Sequence, residues 1–124
     1  MASFKDLTTW QRAMDLTDCI YSLTKKLPRE ELYGLSDQMR RAVVSIPSNI
    51  AEGQRRNSDK EFLHFLAISL GSCAELETQL LICKRQQLAP TEDLDNAIEL
   101  CNDVGKLLNR LIASIKRKEE NRRS

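Results

Sequence analysis

The chain has 124 residues, enough for one domain with a sizeable core. Charged residues make up 30% but cancel to a formal net charge of +1, so no global field draws the molecule toward nucleic acid or an anionic membrane. With only four glycines, three prolines and 5% aromatics, the composition is dominated by Leu, Ala, Glu, Lys, Arg and Gln, which favour helix.

The N-terminal Met1-Ala2-Ser3-Phe4-Lys5-Asp6 lacks the apolar core of a signal peptide. The longest mostly apolar run, Phe62 to Ala74, is too short to span a bilayer and is interrupted by His64, Ser69 and Ser72. A soluble, cytoplasmic protein with no membrane partner is expected. Cys19, Cys73, Cys83 and Cys101 lie inside helical patterns, with no C-x-x-C pair and no metal-ligand spacing. They read as reduced thiols acting as small hydrophobes.

The first helix is expected over about 7–26, starting at Asp6 or Thr8, either of which can cap free N–H groups. Trp10, Ala13, Leu16, Ile20, Leu23 and Leu27 form its apolar stripe, and Pro28 ends it. Pro28 also suits a following first turn, with Glu30 and Glu31 as early acids, so the second helix is expected over 29–55. Met39, Ala42, Val43, Ile46 and Ile50 give it an apolar stripe, while Arg41, Ser45, Ser48, Glu52, Arg55 and Arg56 fall on the opposite side. Pro47 sits inside this pattern. It offers no N–H to the Val43 carbonyl and its ring crowds that carbonyl, at a cost of about 3 kcal/mol. Tertiary packing, or Ser45 and Ser48 reaching freed backbone groups, must offset it.

Ser58-Asp59-Lys60-Glu61 reads as a capping box opening a third helix over 59–87. One apolar row holds Phe62, Phe65, Leu66, Ser69, Cys73, Leu76, Leu80 and Cys83. A second, Leu63, Ala67, Leu70, Ala74 and Leu81, sits about 100° away and needs a further partner, which makes it the candidate oligomer interface. Thr91 is the expected cap of a fourth helix over 92–116, carrying Leu94, Ala97, Ile98, Cys101, Val104, Leu108, Leu111, Ile112 and Ile115. The tail, 117–124, loses apolar periodicity and is expected to fray. Four long helices with short turns predict an all-α, antiparallel up-down-up-down four-helix bundle as a single domain.

Glu61-x-x-His64 has the i, i+3 spacing of di-iron bundles, but such a site needs a second copy of the motif and the chain has one histidine. No nucleophile with an oriented base and no phosphate-binding glycine loop is present, so no catalytic, metal or cofactor residue is nominated. The polar constellation worth weighing is on the second helix. Arg40, Arg41, Arg55 and Arg56 are the candidate rim for nucleic acid or another partner, with Ser45, Ser48, Asn49 and Glu52 as a structural polar network. On the plainer reading, Arg41 and Glu52 only knit the helix to its neighbours and cover Pro47. The basic tail residues Lys116, Arg117, Lys118, Arg122 and Arg123 are interrupted by Glu119 and Glu120 and read as a solvated end.

Phe4-Lys5-Asp6-Leu7 with Trp10-Gln11-Arg12-Ala13, then Leu35-Ser36-Asp37-Gln38-Met39-Arg40-Arg41-Ala42, occur in an order that resembles one family. Ser45-Ile46-Pro47-Ser48-Asn49-Ile50-Ala51-Glu52-Gly53, Glu61-Phe62 and Gly71-Ser72 with Glu75-Leu76-Glu77 extend the likeness from Phe4 to about Leu88. It is the four-helix-bundle family encoded in intervening sequences of bacterial 23S rRNA genes. The resemblance implies a homopentameric ring without an established catalytic activity. It also implies distant similarity to the accessory proteins of diversity-generating retroelements, basic pentamers that bind nucleic acid and a reverse transcriptase; this chain departs from them in being almost neutral. The expected function is a non-enzymatic, self-assembling binding or adaptor scaffold. One version contacts RNA or DNA weakly and salt-sensitively; the alternative is a purely structural or protein-binding homo-oligomer.

Overall fold

The computed structural model describes residues 3–123; Met1 and Ala2 of the N-terminal segment and Ser124 of the tail lie outside them. A 3-10 turn, Phe4–Asp6, leads into α1 (Thr8–Thr24), α2 (Leu35–Arg55), α3 (Asp59–Arg85) and α4 (Thr91–Arg123), and no strand occurs among the described residues. Each helix packs on its chain neighbours and α4 returns to α1, while the diagonal pairs make no close contact. Along α2 and α3 the register descends from Met39 beside Cys83 to Ser45 beside Ser72 and Gly53 beside Phe62, so the pair is antiparallel. Lys84 beside Asp95 and Asp59 beside Lys118 show the same of α3 and α4. The chain is an all-α four-helix bundle, as its periodicity predicts.

The expected stripes form the core. Ala13, Leu16 and Ile20, Met39, Val43, Ile46 and Ile50, Leu66, Leu76 and Leu80, and Ala97, Val104 and Leu108 are all fully buried. Burying each large side chain contributes about 1.5–3 kcal/mol, which sets the four helices around one seam.

The termini depart from expectation in five places, the simplest being Thr91, which is the first residue of α4 and not its cap. No side chain caps α1; a capping box forms one turn earlier, where Ser3 and Asp6 close the 3-10 turn reciprocally. Residues 29–34 are not part of α2. Pro28 to Gly34 close i→i+3 bonds, Glu31 to Pro28, Leu32 to Arg29 and Gly34 to Glu31, and Gly34 (φ −107°, ψ −108°) then turns the chain so that α2 opens at Leu35. At α3, Ser58 Oγ accepts the Glu61 N–H at 3.2 Å, but the Glu61 carboxylate turns to Arg56 at 3.5 Å instead of closing the box. The tail expected to fray is helical to Arg123, because Lys116–Arg123 contains no helix breaker and Asp59 of α3 holds Lys118 and Arg122. The α3–α4 turn closes with Gln87 in the left-handed region (φ 55°) and the Leu88 N–H on the Cys83 carbonyl at 3.0 Å.

At Gly53 α2 and α3 approach closely. A Cβ there would stand 2.7 Å from Phe65 Cβ and 3.3 Å from the Phe62 carbonyl oxygen. Alanine favours helix by about 1 kcal/mol over glycine, yet overpacking of this kind costs about 1–3 kcal/mol and neither obstacle is a flexible side-chain end. Gly53→Ala should therefore destabilise, lowering the urea midpoint without changing the denaturant slope.

Candidate functional site

Pro47 lies buried within α2, and the groups around it define the α2–α3 seam. The buried Ser69 hydroxyl donates to the Ile46 carbonyl at 2.9 Å, and Ser45 Oγ meets Ser72 Oγ at 2.8 Å. Asn49 Nδ2 donates back to the Ser45 carbonyl (2.8 Å) and to Ser45 Oγ (3.0 Å). Of the expected polar network, Ser45 and Asn49 are thus brought together, Ser48 is exposed, and Glu52 pairs with Arg56 at 3.2 Å. The donors to carbonyls beside the proline are Asn49 and Ser69. In the sequence, Ser69 is legible only as a polar break in an apolar row.

The four arginines do not form one rim. Arg40 and Arg55 are fifteen positions apart, about 22 Å along the helix. Arg40 is half-buried, its Nε donating to Thr24 Oγ1 at 3.1 Å and its guanidinium lying 5.7 Å over the Tyr21 ring. Arg41 is exposed and pairs with Asp37 one turn back at 3.2 Å. At the other end Arg55 lies 5.4 Å over Phe4, and Arg56 is held by Glu52, Glu61 and the Phe65 ring.

The structure instead joins Arg56 to the tail. Arg56, Asn57, Asp59, Phe62, Lys118 and Arg122 line one recess of about 340 Å³ at the end of the bundle. Asp59 holds Lys118 and Arg122, and Glu52 and Glu61 hold Arg56, so carboxylates offset part of the charge of the three cations that line the recess. Sequence patterns do not place Lys118 and Arg122 in a site, because both stand far from Arg56 along the chain.

The second apolar row of α3 borders α4. Leu63 and Leu70 are half-buried against the core edge, whereas Ala67, Ala74 and Leu81 are exposed. Leu63, Ala67, Leu70 and Ala74 join Gly71, Ile112 and Lys116 in a groove of about 510 Å³. A neighbouring recess of about 460 Å³, lined by Cys73, Cys101, Gly105 and Asn109 among others, continues it along the same two helices. Gly71 and Gly105 have nothing within 4 Å of a Cβ position. On the outer face of α3, Ile68 and Ile82 are 40% and 43% exposed. Taken whole, α3 is long and apolar enough to cross a bilayer, although the Phe62–Ala74 run alone is too short; a third of its most apolar stretch is buried within the bundle.

A model of the 23S rRNA-intervening sequence protein family matches residues 5–110. The chain belongs to this family. Its structure is also similar to a crystal structure from Bacteroides thetaiotaomicron, of a protein of unknown function in the S23 ribosomal protein family. The two share 26% identity at a TM-score of 0.80, over 88% of this chain and 98% of that one. No curated protein matches the chain in sequence. Neither the family description nor the structural relative indicates catalysis. In this family member Glu61 is committed to Arg56, and His64 is exposed and edge-on to Phe65 at 5.4 Å. No group of three or more His, Cys, Asp or Glu converges among the described residues. The family match ends at Arg110, so Lys118 and Arg122 of the basic end lie beyond it.

These placements separate two arginines that look alike in sequence. Arg40→Ala removes a charged hydrogen bond and a ring contact and should cost about 1–2 kcal/mol. Arg41→Ala should stay within about 0.5 kcal/mol of wild type, as exposed pairs do. Chemical unfolding of the two variants side by side checks both values.

Proposed function

We propose that this family member is a cytoplasmic, self-assembling helical scaffold that engages the phosphate backbone of nucleic acid through the basic end of each subunit. The observation that carries the reading is the α3–α4 groove. Gly71 and Gly105 each cost helix stability by about 1 kcal/mol relative to alanine, and no group of the same chain occupies the space they leave. Such a cost is offset if another backbone or side chain enters that space. The apolar side chains exposed on the outer face of α3, Ile68 and Ile82, favour a second copy as the occupant, because two different patches joined head to tail close into a ring. Five subunits is the number the family resemblance implies.

A subunit of net charge +1 has little attraction for phosphates, but a ring repeats Arg55, Arg56 and the Lys118–Arg122 end around its axis. Affinity of this type scales with the number of phosphates neutralised and carries little sequence preference without base-stacking aromatics. The four unpaired cysteines suit a reducing compartment. The intramolecular partners of Arg40, Arg41 and Arg56 favour the second reading, a ring that binds only protein.

Light scattering at tens of micromolar should give a cyclic oligomer for wild type and a monomer for Leu70→Glu; a wild-type monomer would overturn assembly. In the monomeric background Gly105→Ala should raise stability by up to about 1 kcal/mol, since only helix propensity changes. Fluorescence anisotropy with RNA and duplex DNA should show binding whose log K falls with log salt by a few units, flattened by Arg55→Glu with Arg56→Glu in an intact ring. An intact ring that binds neither polymer at about 50 mM salt, where such contacts are strongest, leaves the protein-binding scaffold.

A further inference from the structure

Cations from two distant stretches of chain meet in the recess at the end of the bundle, Arg56 from the α2–α3 turn and Lys118 and Arg122 from the last turns of α4. Asp59, the first residue of α3, lies beneath the α4 pair. Its Oδ2 accepts from Arg122 Nη2 and stands 3.9 Å from Lys118 Nζ. The Asp59 side chain is only 17% exposed, whereas those of Lys118 and Arg122 are 63% and 60% exposed. The two cations thus cover the carboxylate and still face solvent. Arg56 is held from the other side, by Glu52 at 3.2 Å and Glu61 at 3.5 Å, both half-exposed.

From this geometry, and resting on the nucleic-acid reading above, we infer that the recess binds the terminal phosphate of a strand, a phosphomonoester, with Asp59 as the internal anion that this phosphate displaces.

Charge separates a terminal phosphate from an internal one. A backbone diester carries one negative charge, as the Asp59 carboxylate does. Exchanging one for the other brings no gain in charge, and the carboxylate is tethered beside its partners at high effective concentration. A phosphomonoester carries about −1.5 to −2 charges at pH 7 and offers three strong acceptor oxygens. It can serve Lys118, Arg122 and Arg56 together, whereas Asp59 serves only the α4 pair. A terminal phosphate therefore offsets the loss of the internal contact, and a diester does not.

Shape points the same way. The recess holds about 340 Å³ between the α2–α3 turn, Phe62 of α3 and the end of α4. At the small end of the range for ligand pockets, roughly 300–1,000 Å³, it admits a chain end, while a continuous strand meets it only at its mouth.

Fluorescence anisotropy tests this with the full-length chain and one single-stranded RNA, prepared with a phosphate at one end, at the other end, or at neither. At neutral pH and fixed salt, one of the phosphorylated forms should bind about tenfold more tightly than the hydroxyl-ended strand, the equivalent of one further charge-assisted contact. Lys118→Gln with Arg122→Gln should bring the phosphorylated strand down to the affinity of the hydroxyl-ended one. Asp59→Asn should tighten the phosphorylated strand, because no internal anion then has to be displaced. An Asp59 that only anchored the α4 tail would give the opposite result, and circular dichroism shows whether the tail stays helical in each variant. Equal binding of all three strands by wild type would overturn the terminal-phosphate site and leave the nucleic-acid reading standing. Binding of none of them at about 50 mM salt would overturn both. Inorganic phosphate that competes as well as the phosphorylated strand, mole for mole, would overturn the assignment to a strand end.

Discussion

The Ser69 hydroxyl on the Ile46 carbonyl is the contact from which the rest of the bundle can be read. It ties α3 to the residue before Pro47, whose missing N–H leaves the Val43 carbonyl, one turn back, without its helical donor. Asn49 adds a donor to the Ser45 carbonyl, and Ser45 in turn meets Ser72. Gly53 then lets the two backbones close at Phe62 and Phe65. The α2–α3 contact is the most extensive of the four, and its polar groups set a single register for it.

That seam determines what α3 can offer elsewhere. With Ser69, Ser72 and the Leu66, Leu76 and Leu80 row turned inward, Leu63, Ala67, Leu70 and Ala74 fall beside α4. There, small residues on both helices leave a groove, with the Cys73–Cys101 pair at its far end. The antiparallel run of α4 brings Lys118 and Arg122 back to the α2–α3 turn, so charge gathers at one end of a molecule whose net charge is nearly zero. Groove and charged end are separate features of one helix pair.

Much of this is legible in the sequence, for physical reasons that differ by element. A 3.6-residue apolar period reports directly on burial, so Leu16, Ile20, Ile46, Leu76 and Leu108 are assignable to the core from their spacing alone. The helix expected over 29–55 starts too early, because Pro28 with Glu30 and Glu31 suits a first turn that Gly34 then breaks. The tail needs no apolar stripe to be helical; its residues favour helix and its anchor, Asp59, is remote in sequence. For the arginines, position on the helical wheel says nothing of Thr24, Tyr21 or Phe4, which lie on other elements and engage Arg40 and Arg55. One wall of the groove belongs to α4, through Asn109, Ile112 and Lys116, and is invisible in the α3 row alone.

The central claim is that the α2–α3 seam accommodates Pro47, so that the proline is part of the packing and not unrelieved strain. The equilibrium unfolding free energy of Pro47→Ala tests it most directly. If the buried ring is already fitted to its neighbours across the seam, the variant should lie within about 1 kcal/mol of wild type or below it, since the helix gains a hydrogen bond but loses fitted packing. A gain approaching the full helix-interior cost of about 3 kcal/mol would contradict the account.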